Sequence, residues 1–180
     1  MKLRLVPVLL TSLLSAALLF GGYFLYRQFA LQEPLQKIVS GYEGVNDSHI
    51  TINRSEVTLK LDLQPGTKLR DLVQHVSTEG KSVIDGRKLK LDVEQHSNAI
   101  LDEYWENAMF SVAEAMESRT YTLIPAKLDE LKTQNSEYKD IVATTEIDET
   151  NVYVSLSNGD ESKYIILPRQ PATLGVWNNA

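Results

Sequence analysis

Residues 140–168 read DIVATTEIDETNVYVSLSNGDESKYIILP, and this stretch decides the fold class. Three of its segments are candidate strands, at 140–147, 151–157 and 163–168, with Val152, Val154 and Leu156 at alternate positions of the second and Tyr164 and Ile166 at alternate positions of the third. Such alternation is typical of strands that bury one face. Asn158-Gly159, between the second and the third segment, is a dipeptide typical of a tight hairpin turn. The last third of the protein is therefore predicted to be rich in strands.

Similar patterns run through the segment before it. Residues 49–53 and 56–63 are predicted to form a hairpin, because the second of them alternates clearly between apolar and polar positions. Apolar residues at helical spacing predict a helix over about 67–78, which Gly80 ends. Residues 83–93 are predicted to form either a second hairpin or a turn that leads into a strand.

The longest helix is predicted over about 97–118. Its large apolar residues step by three or four positions, which places them on one face. This stripe consists of Leu101, Trp105, Met109, Val112 and Met116, and it is flanked by Tyr104, Ala108 and Ala115. The helix is therefore predicted to be the central helix of the core. A shorter helix is predicted to follow it from Pro125 to about Gln134.

The order of these elements defines the expected architecture. Strands and helices occur in separate groups rather than in strict alternation, which favours an α+β fold. We expect one domain over residues 45–168, with a mixed or antiparallel sheet of about five to six strands and helices packed on one face. A helical stalk is predicted for residues 27–44, and an extended C-terminal tail for residues 169–180.

The N-terminal segment is predicted to be a transmembrane helix. No residue from Leu5 to Tyr26 is charged, and a helix of that length spans about 33 Å, enough to cross a bilayer core of about 30 Å. Lys2 and Arg4 precede the run, so the bias of charge places residues 1–4 in the cytoplasm. The sequence thus predicts a single-pass protein of the cell membrane, with a signal-anchor and with residues 27–180 outside the cytoplasm.

A cleaved signal peptide is the alternative for this segment. Ser15-Ala16-Ala17 resembles a cleavage site, but it lies inside the apolar run rather than after it. The apolar core of a signal peptide is about 7–15 residues long, which is shorter than this run. Cleavage near Ala17 would make the protein a secreted domain without the stalk.

Composition narrows the classes of function. The chain carries 24 acidic and 18 basic residues, and every acidic residue follows Arg27, so the body of the protein is acidic. An acidic body argues against nucleic-acid binding, which needs a positively charged surface. The absence of cysteine excludes disulfides, cysteine nucleophiles and thiolate metal ligands. A small exported domain without cysteine favours a bacterial envelope protein over a eukaryotic luminal one.

No motif in the sequence indicates catalytic chemistry. The three histidines, His49, His75 and His96, lack the spacing of a metal site on one helix. No Gly-x-Ser-x-Gly elbow, phosphate loop or dinucleotide fingerprint occurs. The acidic residues of the long helix, such as Glu103 and Glu106, are interpreted as its solvated side. We therefore predict that the protein is not an enzyme and that it has no catalytic residue, metal site or cofactor.

Two groups of residues are candidates for contacts with a partner. The basic group comprises Lys81, Arg87, Lys88 and Lys90. It suits an acidic partner or an anionic polymer, although the outward positions of a half-exposed strand explain Lys88 and Lys90 equally well. The apolar group comprises Leu174, Val176 and Trp177 of the C-terminal tail. It either docks back on the domain or contacts a partner, and tryptophan is strongly enriched in binding hot spots.

These observations favour a membrane-anchored, extracytoplasmic interaction or scaffold module of a bacterial envelope complex. Its expected partners are the membrane and a second protein, or another copy of the chain, and not nucleic acid. This architecture resembles that of accessory proteins in division, secretion and sporulation complexes, a resemblance that transfers no residues. One alternative is a ligand-sensing or cell-wall-sensing domain with a cavity around Tyr104 and Trp105. A less favoured alternative is an envelope hydrolase, which needs two carboxylates in a cleft.

Overall fold

The computed structural model describes residues 5–26 and 31–170 of the 180-residue chain. Within these ranges the chain forms six α-helices and six strands. The helices are α1 (Leu5–Tyr26), α2 (Glu33–Ser40), α3 (Leu69–Glu79), α4 (Lys81–Ile84), α5 (Ala99–Glu117) and α6 (Leu123–Gln134). The strands are β1 (Val45–Ile52), β2 (Glu56–Leu63), β3 (Lys88–Val93), β4 (Val142–Ile147), β5 (Asn151–Asn158) and β6 (Glu161–Pro168). The structure is an α+β domain, but two parts of the predicted architecture are wrong.

The first correction concerns the N-terminal segment. Helix α1 covers the uncharged run, and its large side chains are exposed, including those of Leu13, Leu19 and Phe20. Across the described residues, no helix meets both the length and the hydropathy that crossing a membrane requires. The transmembrane helix predicted for residues 5–26 is therefore wrong.

Strands β1, β2 and β3 form the first sheet, in that order. β1 and β2 are the predicted hairpin, and Ile52 pairs with Val57 beside its turn. β3 pairs with β2 in parallel, so the chain crosses from one strand to the other through α3 and α4. No second hairpin forms, because residues 81–84 make a helical turn that Asp85 ends with a φ of 44°. The predicted alternative, a turn that leads into a strand, is the correct one.

Strands β4, β5 and β6 form the second sheet, an antiparallel meander with β5 at its centre. The residues of β5 alternate between two apolar clusters. Val152, Val154 and Leu156 belong to a cluster with α5 and α6, whereas Tyr153 belongs to a cluster with α2, α3 and the first sheet. The second sheet is therefore the middle of three layers, and apolar side chains cover both of its faces.

The second correction follows from this layering. One sheet with helices packed on one face was expected, and that architecture is wrong, because the strands divide into two three-stranded sheets. Alternation along a strand shows which side chains are buried, but it does not show which strand is the neighbour. In β5 all residues from Val152 to Leu156 are buried, so neither face of this part of the strand is exposed to solvent.

A side-chain amide joins the two sheets. Gln95 Nε2 donates a hydrogen bond to the Tyr164 carbonyl oxygen at 3.1 Å, and Gln95 Oε1 accepts one from the Tyr164 backbone N–H at 3.0 Å. The same amide nitrogen also donates to the Val93 carbonyl oxygen at 2.9 Å. The next residue, His96, forms an isolated bridge with Ser162. The end of β3 is thereby fixed to the first half of β6.

Helix α2 lies within the segment that the sequence assigns to a stalk, and it packs on the first sheet. Leu35 and Val39 are fully buried in the apolar cluster of that sheet. Gln36 Nε2 donates a hydrogen bond to the carbonyl oxygen of Ser48 in β1 at 2.7 Å. Residues 27–30 lie outside the described residues. From Glu33 onward, the segment is part of the domain core.

Gly44 connects α2 to β1 in a conformation that suits only glycine. Its φ is +94°, and a Cβ atom at this position would meet the side chain of Thr67. The Thr67 hydroxyl donates to the carbonyl oxygen of Gln64 at 2.7 Å and also lies 3.2 Å from that of Gly44. The absence of a side chain at Gly44 therefore allows the loops on either side of the β1–β2 hairpin to approach each other closely.

Candidate interaction surface

Helix α5 packs on the second sheet. The stripe of side chains that it buries there differs from the predicted apolar stripe. Its buried residues are Leu101, Tyr104, Ala108, Val112 and Ala115. The prediction placed Leu101 and Val112 correctly. It also assigned Trp105, Met109 and Met116 to the core. Trp105 and Met116 are partly buried and pack against the core cluster, whereas Met109 is exposed, and all three line a groove on the surface. Thus α5 carries two adjacent apolar stripes, one buried and one partly exposed.

Several polar contacts hold α5 in this rotation. At its start, Asn98 Oδ1 accepts a hydrogen bond from the Leu101 backbone N–H at 2.9 Å and caps the helix. Lys163 Nζ of β6 lies 2.7 Å from Asp102 Oδ1, and hydrogen bonds from Lys163 and from Ser97 lower the pKa of Asp102. Further along, the buried hydroxyl of Tyr104 donates to a backbone carbonyl of α6 at 2.6 Å. The groove is therefore built on a fixed helix.

The groove lies between α5 and the end of β6 and has a volume of about 540 Å³. Its wall from α5 consists of Trp105, Met109, Phe110, Val112, Ala113 and Met116. The opposite wall consists of Leu167 and Pro168, at the end of β6, and of Arg169, which follows the strand. The side chain of Phe110 is 77% exposed and that of Met109 is 40% exposed. A contiguous apolar surface of this kind is typical of an interaction site, in which aromatic residues and methionine are enriched.

Charged groups mark one end of the groove. Glu117, Arg119 and Arg169 line it there. The Arg169 guanidinium carbon lies 5.0 Å from the centre of the Tyr121 ring, and its Nη1 donates to the carbonyl oxygen of Asp148 at 2.7 Å. Arg169 Nε is buried and has no hydrogen-bond partner among the described residues.

Asp148 supports this end of the groove from the turn between β4 and β5. Its carboxylate accepts hydrogen bonds from the Tyr153 hydroxyl at 2.6 Å and from the backbone N–H groups of Thr150 and Asn151, each at 2.7 Å. Burial acts to raise the pKa of Asp148, but these hydrogen bonds outweigh it and hold the pKa below the usual 3.8. The ionised carboxylate is therefore the form that the fold stabilises.

Replacing Asp148 with alanine is expected to lower the free energy of unfolding at neutral pH by about 1–3 kcal/mol, because the buried Tyr153 hydroxyl loses its acceptor.

The pH dependence of the stability follows from the lowered pKa of Asp148. Stability from Asp148 is complete above the pKa of the unfolded chain and disappears as the pH falls through the lower, folded-state value. Urea unfolding measured between about pH 6 and about pH 3 should therefore show a steeper loss for the unmodified protein than for Asp148→Ala.

A matched control for this prediction is Asp160→Ala, in the exposed turn between β5 and β6. It should leave the unfolding free energy within about 0.5 kcal/mol at neutral pH. Equal effects of the two substitutions would contradict the role assigned to Asp148.

The predicted basic group lies elsewhere, on α4 and on the first sheet. Lys81, Lys88 and Lys90 are exposed, and Lys88 stands opposite Glu56 in the register of β2 and β3. Arg87 is partly buried, and its guanidinium donates to backbone carbonyl oxygens, including that of Val83 at 2.8 Å. The three lysines therefore lie on a face of mixed charge. Arg87, in contrast, forms hydrogen bonds that stabilise the turn after α4.

A polar hollow of about 330 Å³ lies on the same sheet. Its carboxylates come from Asp47, Asp62, Asp92 and Glu94. His49 also lines it, and His96 Nε2 lies 2.9 Å from Asp62 Oδ1. The third histidine, His75, instead packs its ring against Tyr42. The described part of the chain contains no group of three or more acidic or histidine side chains placed to hold a metal ion.

The remaining predicted contact residues, Leu174, Val176 and Trp177, lie outside the described residues. None of the predicted contact residues lines the groove, and the sequence analysis gave no role to Phe110, its most exposed large apolar residue. The signal that could have found it is the number of large apolar residues on α5, which is greater than one buried stripe can hold.

Comparisons with protein-family models, with curated proteins and with solved structures found no match for this chain. The geometry and chemistry of the groove are therefore the basis for a functional proposal.

Proposed function

We propose that this protein is a non-catalytic interaction module that binds an apolar polypeptide segment of a partner protein in the groove between α5 and β6. The observation that carries the proposal is the exposure of large apolar side chains along one face of a fixed helix, above all Phe110 at 77%. Covering such a surface removes apolar area from water, which is the main driving force of protein association.

The polar groups around the groove favour a polypeptide as the occupant. Arg119, which is exposed, lines the groove, and backbone carbonyl oxygens of a bound segment would accept hydrogen bonds from its guanidinium group. A hydrocarbon chain offers no such acceptor. One end of the groove carries both signs of charge, from Glu117 and from Arg119 and Arg169, and this suits a chain with mixed polar groups.

Charge on the outer side of α5 indicates the composition of the partner segment. Glu106, Glu114 and Glu117 are exposed and share the face of Phe110, because they lie four or seven positions from it. A segment with apolar anchors and basic flanking residues would complement this surface. The proposal retains a bacterial envelope complex as the setting, on the basis of the small size of the protein and its absence of cysteine.

The proposal is tested by placing a photo-crosslinking amino acid at Ala113, an exposed groove residue, in the full chain expressed in its native cells. The expected result is a covalent adduct with a defined segment of a second protein, identified by mass spectrometry. That segment is then synthesised, and its affinity for the purified chain is measured by calorimetry. Adducts that contain only another copy of this chain would overturn the choice of partner.

Phe110→Asp is expected to weaken binding of that segment at least about tenfold, because it places a charge in the apolar contact. It should change the free energy of unfolding by no more than about 0.5 kcal/mol, because the side chain is exposed. The matched control is Leu123→Asp, which alters an exposed leucine of α6 outside the groove. If the two substitutions weaken binding equally, the groove is not the binding site.

A further inference from the structure

We infer that strand β4 pairs with β4 of a second copy of this chain, so that the second sheets of two copies join into one antiparallel sheet. The contact lies at the outer edge of β4, whereas the groove lies between α5 and the end of β6. β4 and β6 are opposite edges of the same sheet, so the two surfaces are separate. The inference therefore goes beyond the proposed function and does not depend on it.

The ladder between β4 and β5 shows which backbone groups of β4 point outward. The Asp148 N–H donates to the Asn151 carbonyl oxygen at 3.0 Å, so these two residues are a hydrogen-bonded pair. In an antiparallel ladder such pairs alternate with pairs that exchange no hydrogen bond. Ala143, Thr145 and Ile147 therefore direct their N–H and C=O groups away from β5. These groups have no hydrogen-bond partner among the described residues.

The other edges of the two sheets are occupied or charged. On β1, the Gln36 amide donates to an outer carbonyl oxygen of the strand at 2.7 Å. On β6, the backbone of His96 and the amide of Gln95 bond to outer groups of the strand. β3 carries the exposed Lys88 and Lys90, and lysines on an edge strand disfavour pairing with another strand. β4 reads VATTEI, without lysine or proline, and is the edge within the described residues that lacks such protection.

The helices beside β4 pack on its two faces. On one face, Ala143 packs against the apolar cluster of α5 and α6. On the other face, a Glu146 carboxylate oxygen accepts a hydrogen bond from the Arg70 backbone N–H of α3 at 3.3 Å. Val142 is 59% exposed and Ile147 is 39% exposed, although both are apolar residues of a strand. Both ends of the β4 edge are therefore accessible, and a paired strand would cover these side chains.

A second copy complements this edge by symmetry. A two-fold axis perpendicular to the sheet and centred on Thr145 places Thr145 opposite its own counterpart. It also places Ala143 opposite Ile147 of the second copy. All outer N–H and C=O groups of both strands then have partners, and the two copies form an isologous dimer.

Charge favours the same register. When the axis is centred on Thr145, Glu146 lies opposite Thr144 of the second copy, so no like charges are opposed. Centring the axis on Glu146 would place two carboxylates directly opposite each other, which is destabilising. Centring it on Thr144 would leave the backbone groups of Ile147 unpaired. The hydrogen bonds and the charge of β4 thus select one arrangement.

The absence of cysteine from the chain permits a direct test of this arrangement. Ala143→Cys and Ile147→Cys are made in separate full-length chains, which are then mixed and oxidised. Opposed residues of a hydrogen-bonded pair have Cα atoms about 5.5 Å apart, which suits a disulfide. We expect a disulfide that joins the two kinds of chain, identified by mass spectrometry. Either variant alone should crosslink at least about tenfold more slowly, because each position lies about 13 Å from its own counterpart.

The matched control is a mixture of Val142→Cys with Ile147→Cys. Successive residues of a strand point to opposite faces, so these two positions would lie on opposite faces of the joined sheet. This mixture should crosslink no faster than either variant alone.

Sedimentation equilibrium of the full chain measures the strength of the contact. Two paired strands form a smaller interface than a standard protein complex, so we expect a dissociation constant in the micromolar range. Ile147→Lys should raise this constant at least about tenfold, because it places a charge on the paired edge. The matched control Phe110→Lys, in the groove, should leave it unchanged.

Three results would overturn the inference. The first is crosslinking of the control mixture as fast as that of Ala143→Cys with Ile147→Cys. The second is an equal loss of association in Ile147→Lys and Phe110→Lys, which would assign the contact to the groove. The third is association that Ile147→Lys does not weaken, which would assign the contact to another surface, such as the exposed apolar side chains of α1.

Discussion

Replacing Tyr153 with alanine is expected to lower the free energy of unfolding by about 3–5 kcal/mol, the usual cost of removing a buried aromatic side chain. Tyr153 is fully buried on the central strand of the middle layer, and its ring belongs to the apolar cluster of the first sheet. Its removal leaves a cavity between two layers rather than at the edge of one. Urea unfolding should show a lower midpoint with little change in the slope.

The matched control is Tyr153→Phe, which keeps the ring and removes only the hydroxyl bonded to Asp148. This variant is expected to lose about 1 kcal/mol, the net value of one hydrogen bond. A difference of less than about 1 kcal/mol between the two variants would show that the ring does not fill the space between the layers.

Gly44→Ala is expected to cost about 2–5 kcal/mol, because two penalties act at one position. The residue has a φ of +94°, which is unfavourable for any side chain, and the new Cβ would meet Thr67. The conformational part contributes about 1–2 kcal/mol and the steric part about 1–3 kcal/mol. Thermal and urea unfolding should both show the loss.

Gly66→Ala measures the conformational penalty without the steric one. Gly66 also has a positive φ, of +83°, but a Cβ there meets nothing within 4 Å. It should therefore cost only the conformational part, about 1–2 kcal/mol. Adding Thr67→Ala to Gly44→Ala should recover part of the steric cost, because it removes the hydroxyl and methyl groups that the new Cβ would meet. Equal costs for the two glycine variants would contradict the close approach of Gly44 and Thr67.

Most elements of the domain were predictable because their periodicity is local. The hairpin of β1 and β2, the helices α5 and α6 and the meander of β4 to β6 all lie where the alternation or the helical spacing indicates. The segment at Val83 and Ile84 was ambiguous, because β-branched residues suit a strand and only the left-handed Asp85 shows that a helical turn ends there.

The arrangement of the elements was not predictable in the same way. The division into two sheets depends on contacts between distant residues, such as Gln95 with Tyr164, and no periodicity encodes them. The candidate site could not be predicted for a related reason. The helical spacing of α5 permits more than one apolar face. Packing against the second sheet buries the face of Tyr104, leaves Trp105 partly buried and leaves Met109 exposed. A spacing argument cannot decide which of two adjacent stripes meets the core.

The amide of Gln95 has a consequence for the order of folding. Among the described residues, the single bridge of His96 with Ser162 is the only backbone pairing between the two sheets, so the strand pairing within each sheet does not depend on the other sheet. The contacts of Gln95 with Tyr164 join residues far apart in the chain and need both sheets in place. We therefore expect docking of the two sheets to be a late step of folding, and we expect the junction between the segments 45–93 and 142–168 to open before the interior of either segment unfolds.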